Sequence, residues 1–190
     1  MMKIGVLALQ GAFVEHEKML SRLWVESFQI RGKKDLEKQM DAVILPGGES
    51  TAIGKLLFES GMAEILKGKI LSGLPVMGTC AGLILLAAES EGGAAQRLAT
   101  MDIKVKRNAY GRQLGSFTTK NKFAGQEVQT VFIRAPYICE VGKNVEVLSV
   151  CDGKIVAARQ ENQLVTSFHP ELTEDTFVHR YFLEKVCICQ

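Results

Sequence analysis

Through the first half of the chain, short runs of apolar and β-branched residues alternate with longer stretches whose apolar positions recur every three or four residues. Lys3 to Leu9 reads as a strand, and Phe13 to Leu23 as a helix with Phe13, Met19, Leu20 and Leu23 on one face. Val25 to Ile30 is a second strand and Ala42 to Leu45 a third, stopped by Pro46-Gly47-Gly48. Thr51 to Phe58 follows as a helix, with Ser50 as its expected N-cap. Pro75 to Gly78 reads as a short fourth strand and Ala81 to Ala88 as an apolar helix. The connection between Ile30 and Asp41 is short and carries no clear pattern. Strands separated by helices of this length predict β-α-β units, hence a parallel sheet covered on both faces.

Beyond about residue 100 the texture changes to closely spaced strands: Asp102 to Lys106, Gln129 to Arg134, Val145 to Val150, Lys154 to Arg159 and Leu164 to Phe168. Asp152-Gly153 and Glu161-Asn162 separate the last three, as expected for antiparallel hairpins added to the sheet. A last helix is predicted over Glu174 to Val186, capped by Thr173. The expected fold class is therefore α/β: a flavodoxin-like three-layer α/β/α sandwich, with a mostly parallel central sheet and antiparallel strands added in the C-terminal half. No linker, repeat or low-complexity tract divides it, so residues 1–190 are expected to form one domain.

Composition narrows the functions on offer. Apolar residues make up 47% of the 190, enough to fill a core, which excludes a disordered tail or a stapled mini-protein. Lysine and arginine total 23 against 21 acidic residues, a net charge of +2 without a basic block, so charge favours neither nucleic acid nor a membrane surface. The N-terminal apolar run is too short to span a bilayer and lacks an export cleavage site, and a cytoplasmic protein is expected. Five cysteines, Cys80, Cys139, Cys151, Cys187 and Cys189, include no C-x-x-C pair, which argues against a disulfide framework or zinc ribbon and for a reducing compartment.

The sharpest chemical signal is Gly78-Thr79-Cys80-Ala81-Gly82, between a strand and a helix. It has the form of a nucleophile elbow with cysteine in the serine position. A tight strand-to-helix turn projects one side chain from the sheet edge, and glycine on both sides prevents clashes. The helix start also turns the Ala81 N–H towards developing negative charge. A buried structural cysteine in a Gly-rich helix start is the alternative. A base for Cys80 must come from His16, His169 or His179. His169 lies in Ser167-Phe168-His169-Pro170-Glu171, where residues two apart share a side in extended chain, so Glu171 neighbours the imidazole. A surface histidine in a proline loop is the plainer alternative for this segment alone. His16 and His179, in helices among charged residues, read as solvated. The third piece, Pro46-Gly47-Gly48-Glu49-Ser50-Thr51, ends strand three with two glycines that let backbone N–H groups approach a ligand, or simply makes a tight turn. It is not a P-loop, and no Gly-x-Gly-x-x-Gly follows the first strand. The set of Cys80, His169, Glu171 and the Gly47-Gly48 loop points to thiol-dependent acyl transfer or hydrolysis of a small amide.

With LALQGAFVEH, LPGGEST, GTCAGLILLA, RNAYGRQ, FIRAP and SFHPELTED, the chain resembles the glutaminase subunits of two-component pyridoxal 5′-phosphate synthases, which are class I (triad) glutamine amidotransferases. The likeness runs from Met2 to the last helix. It implies that Cys80 attacks the amide of L-glutamine to form a γ-glutamyl thioester, that His169 moves protons and that Glu171 orients it. The implied oxyanion donors are the N–H groups of Ala81 and of Gly47 or Gly48. The implied glutamine contacts are Gly48, Glu49, Ser50, Arg107, Ile133 and Arg134. Arginine suits an α-carboxylate; a solvated strand-end cation is the lesser alternative for Arg107. Gln10 matches a position beside the oxyanion site and the synthase interface. The resemblance implies no metal and no cofactor. The partner it implies is the synthase subunit, which takes the released ammonia and raises a weak basal glutaminase activity. Trp24 stands where such proteins often carry glycine. The competing expectations are a DJ-1/PfpI-type cysteine hydrolase or stress protein, and an inactive binding module on the same fold.

Overall fold

The computed structural model describes residues 2–92, 96–107 and 116–188. Its first half is a run of β-α units: β1 (Lys3–Leu7), α1 (Phe13–Arg22), β2 (Glu26–Ile30), α2 (Lys33–Leu36), β3 (Ala42–Leu45), α3 (Ser50–Glu59), α4 (Ala63–Leu71), β4 (Val76–Thr79) and α5 (Ala81–Leu86). Then come β5 (Ala87–Glu91), β6 (Met101–Lys106), β7 (Ser116–Phe123), β8 (Gln126–Ile133), β9 (Tyr137–Val141), β10 (Glu146–Cys151), β11 (Lys154–Gln160) and β12 (Gln163–Thr166). A 3-10 turn at Pro170–Leu172, α6 (Phe177–Tyr181) and a π-helical turn at Phe182–Cys187 close the chain.

Strands run in the order β2-β1-β3-β4-β12-β11-β9-β6-β5, with β10 paired to β11. The β2-to-β12 half is parallel throughout, and β11 pairs antiparallel with β9, β10 and β12. The side chains of β3 alternate between two apolar layers: Val43 and Leu45 pack with Ile53 and Leu57 of α3, while Ala42 and Ile44 pack with Leu20 of α1 and Phe182. Each such fully buried aliphatic residue contributes about 2 kcal/mol. Helices on both faces of a parallel sheet make the three layers expected from the pattern, and they leave the carboxyl ends of β1, β3, β4 and β12 open at one edge, where α/β sheets bind their ligands.

Several boundaries differ from the sequence expectation. Gln126–Ile133 does not join the main sheet; it forms a separate two-stranded ribbon with β7. The ribbon is tied to β10 by Ala124 N–H donating to Leu148 O at 2.8 Å and Asn121 Nδ2 to Ser149 Oγ at 2.8 Å. Arg134 falls beyond β8, in the left-handed region at φ 43°. Ser50 is not a cap: Glu49 is the N-cap of α3, its carboxylate accepting from the N–H groups of Thr51 at 2.9 Å and Ala52 at 2.7 Å. The last helix begins only at Phe177, because Thr173 is spent on the preceding turn, where its hydroxyl donates to Pro170 O at 3.0 Å. Trp24 ends α1 at φ 58° and is 90% exposed. Its N–H bonds Ser21 O while the N–H of Val25 bonds Leu20 O, a Schellman closure at the position where glycine is usual.

Candidate active site

Cys80 stands between β4 and α5 at φ 49°, ψ −96°, a strained geometry that turns its side chain out of the sheet edge. Its N–H donates to Thr166 O at 2.8 Å, locking the elbow to β12. The flanking glycines are required by close approach: a Cβ on Gly82 would overlap the Leu45 carbonyl, and one on Gly78 would lie 2.7 Å from the Gly82 backbone.

β12 delivers the partner. After Thr166 the chain leaves the sheet, and the N–H of His169 donates to Val131 O on β8 at 2.8 Å, so the ribbon fixes the histidine backbone. Pro170 starts the 3-10 turn and folds Glu171 back onto the ring, with His169 Nδ1 at 2.7 Å from Glu171 Oε1. Burial draws the His169 pKa down, but hydrogen bonds with Cys80 and Glu171 outweigh it and push it up to about 10. Burial likewise opposes the Glu171 charge, and His16 and His169 beside it hold the carboxyl below its ordinary range.

The loop after β3 forms the adjoining wall. Gly47 is pressed against the His169 ring, and Gly48 against the side chain of Gln10. The Gly47 carbonyl accepts from Ala12 N–H at 2.9 Å, and Gln10 Oε1 accepts from Glu49 N–H at 2.9 Å. Arg107 closes the far side: its Nη2 donates to Thr51 Oγ1 at 3.2 Å and lies 3.6 Å from Glu49 Oε1. These loops enclose a cavity of about 480 Å³ lined by Gln10, Gly47, Gly48, Glu49, Ser50, Cys80, Ala81, Arg107, Ile133, Arg134 and His169 among others. Such a volume suits a small molecule.

The family profile of the SNO glutamine amidotransferases matches residues 6–188. The chain belongs to the SNO glutamine amidotransferase family. It is 62% identical over 186 residues to the pyridoxal 5′-phosphate synthase subunit PdxT of Methanocorpusculum labreanum, covering 97% of this chain and 98% of that protein. It is 59% identical to the PdxT of Carboxydothermus hydrogenoformans, covering 98% of each. A crystal structure of a glutamine amidotransferase superposes with TM-score 0.91 at 47% identity, over 95% of this chain and 97% of that one. A glutamine amidotransferase from Thermotoga maritima, 13% identical with TM-score 0.64 and covering 95% of this chain and 82% of that one, shares the fold. The DJ-1/PfpI-type expectation gives way to this membership.

Every cavity residue expected from the amidotransferase motifs lines the cavity, and Glu171 stands directly behind His169. The RNAYGRQ segment beyond Arg107 lies outside the described residues, as does Cys189. Sequence reasoning missed Ile84, Pro136 and Leu172, apolar lining residues that carry no chemical signature. It also misplaced two histidines: His16 and His179 are fully buried, not solvated, because α1 and α6 turn them inward against β4. Burial pushes up the thiols of Cys139, Cys151 and Cys187, the last to about 12, so they stay protonated at neutral pH. Among the described residues no helix is long and apolar enough to cross a membrane.

Proposed function

We propose that residues 1–190 act as one catalytic unit, the glutaminase subunit of a two-component pyridoxal 5′-phosphate synthase. The reading is carried by one observation: the buried His169–Glu171 bond of 2.7 Å, with His169 and Cys80 side by side on the wall of one cavity. L-glutamine lies with its α-carboxylate towards Arg107 and its polar head among Gly48, Glu49, Ser50, Ile133 and Arg134. The Cys80 thiolate attacks the side-chain amide carbon. The oxyanion that forms is received by the N–H groups of Ala81 and of Gly47 or Gly48. His169, held protonated by Glu171, gives its proton to the leaving nitrogen, so ammonia departs and a γ-glutamyl thioester remains. His169 then takes a proton from water, whose oxygen adds to the thioester carbon. Collapse returns the thiolate and releases L-glutamate. Ammonia passes to the synthase subunit, and Gln10, bonded to the oxyanion loop through Glu49 N–H, faces that partner.

The test is alkylation by a glutamine-mimicking electrophile, read by intact mass and peptide mapping. A single adduct at Cys80, lost in Cys80→Ala, is the expected result. Labelling spread over Cys139, Cys151, Cys187 and Cys189 would overturn the assignment. Adding the synthase subunit is expected to raise the hydrolysis rate, and an isolated chain already at full rate would contradict the proposed activation. No labelling and no hydrolysis in the assembled complex would instead favour a binding module.

A further inference from the structure

Two buried histidines stand behind Glu171, and the proposed chemistry uses neither. His16, on α1, places Nδ1 3.0 Å from Nε2 of His179 on α6, and Nε2 3.1 Å from Oγ1 of Thr79 at the end of β4. The same Nε2 lies 3.5 Å from Glu171 Oε2. That carboxylate oxygen is buried and makes no hydrogen bond among the described residues, and the same holds for Nδ1 of His179. Burial lowers the pKa of both histidines, so both rings are neutral, each with one N–H and one bare nitrogen.

The distances admit two arrangements of those hydrogens, and one of them leaves the buried groups better paired. A hydrogen on His16 Nδ1 would donate to His179 Nε2 and leave His179 with a buried Nδ1–H that has no acceptor. The bare Nε2 of His16 would then accept from the Thr79 hydroxyl at 3.1 Å while facing a carboxylate oxygen 3.5 Å away. Unpaired donors and facing lone pairs are both costly in a buried site. With the hydrogen on His16 Nε2, His179 donates through its own Nε2 to His16 Nδ1. The His16 N–H then donates to the Thr79 hydroxyl at 3.1 Å and turns its positive end towards Glu171 Oε2 at 3.5 Å, and on the histidine pair only a bare acceptor on His179 goes unpaired.

We propose that His16 is a positioning residue of the triad: its Nε2–H, set by His179, holds the second oxygen of Glu171 so that the first stays on His169. The inference rests on the reading of Cys80, His169 and Glu171 as the triad. The groups that face Glu171 are His169 beyond Pro170 and His16 from α1; His179 from α6 feels both Glu171 and His16, and Glu15, Lys18 and Arg22 of α1 and Glu174 line a cleft beside it. Without the His16 N–H, Oε2 is a bare, buried carboxylate oxygen, so Glu171 either takes up a proton or turns from the ring. His169 loses its support in both cases. Glutamine touches neither His16 nor Glu171, so the loss falls on kcat and on the acid limb of the pH profile while KM is unchanged.

The test is glutamine hydrolysis by the complex with the synthase subunit, over a range of about pH 5 to about pH 10. His16→Phe is expected to lower kcat about 10–100-fold, the scale seen when outer partners of site residues are removed, and to move the acid limb to higher pH. His16→Gln, whose carboxamide oxygen accepts from His179 and whose nitrogen donates to Glu171, is expected to stay within about threefold of wild type with the limb in place. A His16→Phe complex with wild-type kcat and limb would overturn the proposal, as would equal losses in the two variants. Glu171→Gln, measured alongside, separates the two readings: a large loss there with none in His16→Phe sinks the positioning role alone, whereas an unimpaired Glu171→Gln sinks the triad. If neither His16 variant folds, the nitrogen chemical shifts of His16 in the wild-type protein decide. Nε2–H supports the role of His16 and Nδ1–H overturns it.

Discussion

Gly47 lies so close to His169 that a Cβ at position 47 would overlap the imidazole at Cε1 and come within 2.8 Å of Nδ1, the atom that holds Glu171. Gly47→Ala is therefore expected to displace the ring from between Cys80 and Glu171. A misplacement of about 1 Å costs about a hundredfold in rate. Steady-state hydrolysis together with thermal melting checks this: kcat falls by about that factor, and the melting point falls as well, because the displaced ring loses its stabilising contacts with Glu171. A Gly47→Ala protein with wild-type kcat would show that the ring has room the geometry denies it.

Arg107 meets Glu49 and Thr51 at the cavity rim, and the proposed chemistry gives it no part in bond breaking. Arg107→Ala is expected to raise KM for glutamine by about 10-fold to 100-fold with kcat within a few-fold, since a charge-assisted contact to a carboxylate is worth about 1.5–3 kcal/mol. Glutamine titrations of initial rate make the check. A fall in kcat at unchanged KM would place Arg107 in the chemistry instead.

The buried histidines give stability a pH dependence of opposite sign on the two sides of neutrality. His179 is lowered to about 3 by burial, so the unfolded chain binds its proton first as pH falls. Its contribution is fully present above the ordinary histidine pKa of about 6.5 and is lost at about 1.4 kcal/mol per pH unit below it. His169 is raised to about 10, so its contribution is present below about 6.5 and is lost as pH rises towards 10. Urea unfolding across pH is expected to show both slopes. His179→Phe should flatten the acid side, and His169→Asn the alkaline side together with abolishing ammonia release. An acid slope unchanged in His179→Phe would contradict the assignment.

Trp24 holds a left-handed backbone at φ 58° while 90% exposed, with little packing to lose. The left-handed conformation costs a side-chain-bearing residue about 1–2 kcal/mol, and the extra freedom of glycine in the unfolded chain returns about 0.4–1 of that. Trp24→Gly is expected to stabilise the protein by about 0.5 kcal/mol, read as a higher urea midpoint at unchanged slope. A loss of stability would mean that the indole packs on the surface more than its exposure indicates.

The sequence by itself determined the parallel β-α frame, because fully buried strands such as Ala42–Leu45 read as unbroken apolar runs whatever packs on them. It also determined the elbow, since only small residues at 78 and 82 let Cys80 turn out of the sheet, and the His169–Glu171 pairing, which is local in the chain. It left β7 unmarked: Ser-Phe-Thr-Thr-Lys-Asn-Lys-Phe lacks a buried face along most of its length and becomes a strand only by pairing with β8. What tertiary structure alone decided is the environment of polar groups far apart in sequence. His16 and His179 lie 163 residues apart and sit among charged neighbours, so each read alone as solvated. Folding α1 and α6 against the same end of β4 removes both from water, and a buried polar ring must then find its partners in space, here Thr79, Glu171 and each other.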